Sequence, residues 1–185
     1  MIRKPNIMVS TSVYGFEEQI SQICALLKDL GYNVWNSHLG TIKVNPNLSN
    51  LENCLKAVED CDLFFGIIRT QCGTGYIGDK NITFEEMKKA IELKKPYWFL
   101  VHRDVTFARQ LFKKIEQPKS IIFKDKKVFD PLCIEMFDYV TKSDQPVEVR
   151  TGNWVQEFFT FVDIANYLKT QFGDKIFINQ LIERK

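Results

Sequence analysis

Four short apolar segments alternate with helical patterns over the first hundred residues of this 185-residue chain. The segments fall at about 6–11, 32–36, 62–68 and 96–101, and the third of them (DLFFGII) is almost continuously apolar. Such a run is typical of a parallel strand that helices cover on both faces. Strands that alternate with helices form parallel sheets with right-handed crossovers. The sequence therefore predicts an α/β fold.

The predicted sheet has the flavodoxin-type strand order 2-1-3-4-5, with the fifth strand expected at about 120–123. Residues 145–156 are predicted to be extended or loop. The spacing of apolar residues predicts further helices in the last third at about 105–115, 131–142 and 160–172. We therefore expect one domain over residues 1–185, with an α/β core at about 5–123 and an irregular helical C-terminal extension at about 124–185.

Two predicted helices begin with the pattern of a capping box, formed by Ser49 with Glu52 and by Thr83 with Glu86. In the second box, the Glu86 carboxylate would accept a hydrogen bond from the backbone of Thr83 and would have no chemical role. The alternative is catalytic. A carboxylate on the first turn of a helix, at the rim of the sheet, could stabilise or attack a cationic sugar, as carboxylates do in glycoside hydrolysis.

Composition limits the classes of partner and cofactor. The net charge of +2 gives no reason to expect a nucleic acid or a membrane surface as partner, and no apolar run approaches the roughly 20 residues that span a bilayer. The five cysteines form no CxxC pair and no secretory leader is evident, which indicates free thiols in the cytoplasm. With two histidines and no cysteine–histidine cluster, we expect neither a metal nor a cofactor.

Ligands of open parallel sheets bind beyond the carboxyl ends of the strands. After the first predicted strand this rim holds a run of hydroxyl side chains, and after the third it holds a cation and a hydroxyl. The residues are Ser10, Thr11, Ser12 and Tyr14, then Arg69 and Thr70. Hydroxyl groups just before a helix N-terminus suit a phosphate, although helix capping explains the same run nearly as well.

Residues 73–78 match the letters GxGxxG but lack the context of a dinucleotide-binding loop. That loop opens a helix directly after the first strand of its unit, whereas here three residues intervene and the preceding strand is the third. We interpret Gly73, Gly75 and Tyr76 as part of a flap whose glycines permit positive φ angles. Cys72 lies in the same flap without a predicted base, and we interpret it as a bystander thiol.

The segments at 58–68 and 83–96, with the Gly-Thr-Gly loop between them, resemble the nucleoside 2-deoxyribosyltransferases and are similar to TIR domains. Both families place a catalytic glutamate on the helix after the third strand, with a small residue four positions later. Glu86 and Ala90 match that spacing. The resemblance implies a flavodoxin/TIR-like parallel sheet and a catalytic role for Glu86. The transferases also carry an aspartate-bearing motif that grips the nucleoside, and no segment of this chain matches it.

A closer resemblance covers most of the chain, including its last third. The segments look like those of a TIR-like family that is still labelled a domain of unknown function and is often found in bacterial multidomain proteins with a defence or signalling character. They are VSTSVY at 9–14, CDLF at 61–64, ITFE at 82–85, FLVHRDVTFARQL at 99–111 and GNWVQE at 152–157. This resemblance indicates that the chain is a member of that family and says nothing about its activity.

The leading hypothesis is that the chain cleaves or transfers the N-glycosidic bond of a nucleotide or nucleoside, with an NAD-like or deoxynucleoside substrate. Glu86 would act on the ribose, residues 10–12 would meet a phosphate, and Arg69 to Tyr76 would close over the ligand. The alternative is a non-catalytic, TIR-like module that senses nucleotides or interacts with proteins, in which a homo-oligomer or TIR-like assembly is the expected partner. A flavodoxin-like redox role is a weaker third hypothesis.

Overall fold

The computed structural model describes residues 3–73, 75–115, 128–152 and 154–183. The seven described strands are β1 (Asn6–Thr11), β2 (Asn33–Trp35), β3 (Leu63–Ile68), β4 (Tyr76–Ile77), β5 (Lys80–Asn81), β6 (Tyr97–His102) and β7 (Val155–Phe158). The seven described α-helices are α1 (Glu17–Asp29), α2 (Asn50–Asp60), α3 (Ile82–Glu92), α4 (Arg103–Phe112), α5 (Leu132–Val140), α6 (Phe161–Phe172) and α7 (Lys175–Glu183).

The central sheet has five strands in the order β2-β1-β3-β6-β7, and every neighbouring pair is parallel. Counted along the chain, this is the 2-1-3-4-5 order of flavodoxin-like folds. The predicted fold class, the four predicted strands and their parallel pairing are therefore confirmed. Strands β4 and β5 form a separate antiparallel hairpin in the loop between β3 and α3.

Alternating side chains of the central strands divide the core into two layers. Leu63, Phe65 and Ile67 of β3 face the layer that α1, α6 and α7 cover. Phe64 and Ile68 face the layer that α2, α3, α4 and α5 cover. Because helices cover both faces, all six residues of β3 are buried, and the strand reads in the sequence as one apolar run.

The last third of the chain contributes to the central sheet and to its core. β7 pairs with β6 as the fifth strand, and Ile164, Leu168 and Phe172 of α6 are fully buried. The hydrophobic core therefore continues well beyond residue 123, the predicted end of the α/β core. The candidate fifth strand at 120–123 lies outside the described residues.

All five cysteines are buried, and none of them forms a disulfide bond. In the described part of the chain, no helix is both long and apolar enough to cross a membrane.

Candidate functional site

Helix α3 begins at Ile82, and its N-cap is Asn81, whose side chain accepts a hydrogen bond from the backbone N–H of Phe84 at 3.0 Å. The predicted capping box of Thr83 with Glu86 is therefore wrong. The Asn81 amide also donates to the carbonyl oxygen of Cys72 at 2.8 Å, so this buried residue ties the flap to the helix start. Glu86 lies in the second turn of α3, where its carboxylate cannot reach the cap.

The carboxylate of Glu86 is buried, with 4% of the residue exposed. The hydroxyl of Ser10, in β1, donates a short hydrogen bond to it, and the thiol of Cys54, in α2, is a second hydrogen-bond partner. Burial raises the pKa of Glu86 above its ordinary value, while the hydrogen bonds from Ser10 and Cys54 act in the opposite direction. Burial, together with the nearby Glu86 charge, raises the pKa of Cys54 to about 12.

Glu86 lines a cavity of about 500 Å³ beside the carboxyl end of β1. The walls are the end of β1 with residues 12–14, the loop after β2, the first half of α2, the flap, and the start of α3. This is the crevice in which ligands of open α/β sheets bind. Among the described lining residues, Glu86 is the only carboxylate, and none is a lysine or an arginine.

The structure brings most of the predicted site residues to this cavity and leaves three outside it. Those that line it with Glu86 are Ser10, Thr11, Ser12, Tyr14, Gly73 and Gly75. Arg69 and Thr70 line a different cavity, on the far side of residues 12–14. The side chain of Tyr76 is exposed on the β4–β5 hairpin and is not part of the wall.

The hydroxyl groups near Glu86 are already engaged as donors. Ser10 donates to Glu86, and Ser12 donates to the carbonyl oxygen of Gln71 at 2.5 Å. A hydroxyl has a single hydrogen but can accept further bonds. Phosphate oxygens only accept, so a phosphate at Ser10 or Ser12 would have to replace these bonds. Sugar hydroxyl groups, in contrast, can each donate to one of these oxygens without disturbing the two bonds.

Sequence reasoning did not select three residues that the structure places at or beside Glu86. His38 and Asn53 line the cavity, and Cys54 contacts the carboxylate. The Asn53 amide donates to the carbonyl oxygens of Asn45, Leu48 and Ser49 at 3.0 to 3.1 Å, and its oxygen accepts from the Asn45 backbone at 2.7 Å. In the sequence, an asparagine and a cysteine stand side by side within an amphipathic helix. This pattern is the signal that could have indicated that α2 forms part of the cavity wall.

The Cys72 thiol also lines the cavity, but it is poorly suited to attack a substrate. A hydrogen bond with Cys133 and burial both raise its pKa, which keeps the thiol protonated. No group of three or more histidine, cysteine, aspartate or glutamate side chains that could hold a metal ion occurs among the described residues.

The model of one protein family, described as Domain of unknown function (DUF4062), matches residues 6–171 of this sequence. The chain belongs to the DUF4062 family. The predicted resemblance to a domain-of-unknown-function family is thereby confirmed. No curated protein matches the sequence.

Three solved structures are similar to the DUF4062 chain at low identity. A 2-deoxyribosyltransferase from Bacillus psychrosaccharolyticus is 18% identical with a TM-score of 0.45, covering 94% of this chain and 95% of that one. The CMP N-glycosidase BcmB of Clostridium botulinum is 14% identical with a TM-score of 0.38, covering 66% and 92%. The TIR domains of the activated Roq1 resistosome are 12% identical with a TM-score of 0.46, covering 98% and 96%. These likenesses are distant and concern the fold alone.

The raised pKa of Glu86 predicts a pH-dependent difference in stability between the wild type and Glu86→Gln. A carboxyl group whose pKa is higher in the folded than in the unfolded state stabilises the fold at low pH, and that contribution is lost as pH rises through the folded pKa. Glutamine keeps the acceptor for Ser10 but cannot ionise. Urea unfolding across acid to neutral pH should therefore show the variant gaining stability relative to the wild type as pH rises. A difference that is constant with pH would contradict this prediction.

Proposed function

We propose that this DUF4062 chain cleaves or transfers the N-glycosidic bond of a nucleoside or nucleotide in the Glu86 cavity. The observation that carries the proposal is a single buried carboxylate, oriented by a serine hydroxyl, that faces a cavity of about 500 Å³ at the carboxyl ends of parallel strands. A cavity of this volume is within the range of small-molecule sites. The match of Glu86 and Ala90 to the transferase and TIR spacing supports the same role.

In the proposed reaction, the bond between the anomeric carbon and the base nitrogen breaks, and its electron pair leaves with the base. The Glu86 carboxylate stabilises the positive charge that develops on the sugar and forms a bond to the anomeric carbon. Water or a second base then attacks the same carbon, the sugar–Glu86 bond breaks, and the carboxylate is restored. The departing base takes up one proton, for which His38 in the cavity wall is the candidate donor, and the proton that the attacking water or base then loses restores His38.

Burial of Glu86 makes its charge more effective in this role. A carboxylate with little solvent around it interacts more strongly with a developing cation than one in water. Ser10 fixes one carboxylate oxygen, Oε2, and so orients the group in the cavity wall. The Ser10 and Ser12 oxygens can accept hydrogen bonds from sugar hydroxyl groups, and the close approach of Gly73 to Ser12 brings the flap over this region. A Cβ at Gly73 would lie 3.3 Å from the Ser12 Cβ.

The alternative is a non-catalytic module that binds a nucleotide or nucleoside, or a protein. A specific observation favours it: the Glu86 carboxylate already has two hydrogen-bond partners within the protein, Ser10 and Cys54. A satisfied buried cluster of this kind stabilises a fold without any chemistry. In this case the cavity would still select a ligand by shape and hydrogen bonding.

The deciding experiment incubates the purified protein with NAD, with ribonucleosides and deoxynucleosides, and with the corresponding monophosphates. Release of free base is followed by chromatography, with a second free base added in parallel reactions to detect transfer. We expect turnover of at least one compound, at protein concentrations at which any homo-oligomer has formed. No turnover of any compound would exclude the proposed reaction within this panel. Equilibrium binding of the same compounds would then test the alternative.

A further inference from the structure

A second cavity, of about 220 Å³, lies at the carboxyl rim of the sheet on the far side of residues 12–14. Its wall includes Arg69 and Thr70, which follow β3, and His102, which ends β6. Aromatic rings from the starts of α1 and α6 and from the end of β7 complete it. Among the described residues, none lines both this cavity and the Glu86 cavity.

Arg69 is half-buried at this cavity and forms no ion pair with any acidic side chain in the described part of the chain. One guanidinium nitrogen, Nη1, donates to the carbonyl oxygens of Ser12 and Tyr14, both at 3.1 Å. The guanidinium carbon lies 4.4 Å from the centre of the Phe16 ring. Burial lowers the pKa of Arg69 below its ordinary value. No ion pair and no hydrogen bond of Nη2 or Nε joins Arg69 to another of the described residues.

Two acidic residues near the starts of α1 and α6, Glu17 and Asp163, form no ion pair with this cation. Glu17, whose charge favours the protonated form of Arg69, is fully exposed and accepts a hydrogen bond from the backbone of Gly15 at 3.2 Å. Asp163 accepts hydrogen bonds from the backbone N–H groups of Phe159 and Thr160 at 3.0 and 2.8 Å. Its carboxylate is therefore already engaged at the start of α6. The Asp104 carboxylate, 3.5 Å from His102 Nδ1 and 3.9 Å from Arg103 Nε, does not line the cavity. Among the described lining residues, Arg69 therefore carries a charge that no ion pair matches, whereas charged groups in a protein interior are usually paired.

We infer that this cavity binds a small oxyanion, a phosphate or carboxylate group, through the free nitrogens of Arg69. A guanidinium presents two parallel N–H donors that match the oxygens of either group. Thr70 contributes a hydroxyl. The Nδ1 atom of His102 accepts a hydrogen bond from the backbone of Asp104 at 3.3 Å, which leaves the hydrogen of the neutral ring on Nε2 as a further donor.

The volume and the walls of the cavity limit the size and the chemical type of the ligand. A space of about 220 Å³ is smaller than typical cofactor sites and suits a single small anion. The phenylalanine rings in the wall reduce the contact of a bound anion with water, which would strengthen its interaction with the guanidinium. Since Arg69 also holds the carbonyl oxygens of Ser12 and Tyr14, the anion would bind against the segment that forms one wall of the Glu86 cavity. The inference does not depend on the proposed reaction.

The test is a titration of the full chain with inorganic phosphate and, separately, with acetate, followed by amide NMR shifts at constant ionic strength. We expect saturable shifts at Gly15 and Thr70 with at least one of the two anions. The anion whose shifts saturate shows whether the cavity binds a phosphate or a carboxylate group. Arg69→Met keeps an unbranched side chain against Phe16 and should weaken binding at least about tenfold. Arg3→Met is the matched control, because Arg3 precedes β1 at the opposite edge of the sheet, pairs with Asp62 at 2.7 Å and does not line the cavity, and the affinity should stay within about twofold.

A second pair of variants does not disturb the contacts of Arg69 with residues 12–14. Gln19, on α1, lines the cavity, so Gln19→Glu should weaken anion binding and Gln19→Lys should strengthen it, each by about threefold or more. Absence of saturation with both anions in the wild type would overturn the inference. It would also be overturned if a folded Arg69→Met variant bound as tightly as the wild type, or if neither Gln19 variant changed the affinity. Arg69 would then serve only to hold residues 12–14 in place.

Discussion

Glu86→Gln is expected to slow release of the free base at least about 100-fold, which corresponds to roughly 2.7 kcal/mol of transition-state stabilisation. The amide has nearly the same shape and can still accept the hydrogen bond from Ser10. It carries no charge, however, and cannot stabilise or bond to the cationic sugar. The measurement is the initial rate of base release by wild type and variant, with whichever nucleoside or dinucleotide the wild type turns over.

The matched control for this experiment is Glu85→Gln, on the preceding residue of α3. Glu85 forms a partly buried ion pair with Lys88, three residues later on the same helix, at 2.7 Å and does not line the cavity. Such pairs contribute little to stability, and we expect this variant to keep the wild-type rate within about twofold. A folded Glu86→Gln protein with a rate close to that of the wild type would rule out the proposed role of the carboxylate. A loss of rate in both variants would point to a general effect on α3.

The same Glu86→Gln change is expected to lower activity without lowering the stability of the fold. It removes a carboxyl group whose ionisation burial disfavours, so at neutral pH the variant is expected to be at least as stable as the wild type. Groups that destabilise a fold while they serve chemistry are common at active sites. If instead the Ser10–Glu86–Cys54 cluster only holds the fold together, the variant should lose stability and the nucleoside assay should show no wild-type turnover to lose.

The sheet could be predicted from the sequence because its central strands are buried on both faces and therefore read as apolar runs. β7 could not be predicted in this way. It is an edge strand whose Gln156 and Glu157 are exposed, so only Phe158 is buried and no apolar run or clear alternation marks it. Its place beside β6 is set by tertiary contacts that a local pattern does not contain.

The candidate site could be predicted in outline but not in its contacts. The spacing and the family resemblance selected Glu86, whereas how deeply its side chain is buried depends on where α3 begins. Asn81 caps the helix in preference to Thr83 because its side chain also binds the Cys72 carbonyl, a contact the sequence does not reveal. Arg69 follows β3 as expected, but its side chain turns to the far side of residues 12–14. The direction of a loop side chain depends on which partners the fold supplies.

Phe172→Ala is expected to lower the free energy of unfolding by about 3–5 kcal/mol, the usual cost of removing a fully buried aromatic ring. Phe172 ends α6 and has no exposed surface. Its ring centre lies 4.8 Å from that of Trp98, 5.7 Å from that of Tyr32 and 5.9 Å from that of Phe65. The Tyr32 hydroxyl also donates to the Phe172 carbonyl oxygen at 2.8 Å. The last third of the chain thus contacts β3, β6 and the segment before β2.

Because these contacts join distant parts of the sequence, the described residues should unfold as one cooperative unit, as the single predicted domain requires. Urea unfolding followed by both fluorescence and circular dichroism measures this for wild type and Phe172→Ala, with coincident transitions expected in each. The matched control is Phe177→Ala in α7, where the ring is 47% exposed and a loss of at most about 1 kcal/mol is expected. Separate transitions, or a Phe172→Ala loss no larger than that of the control, would mean that the C-terminal third folds as an extension with little energetic connection to the sheet.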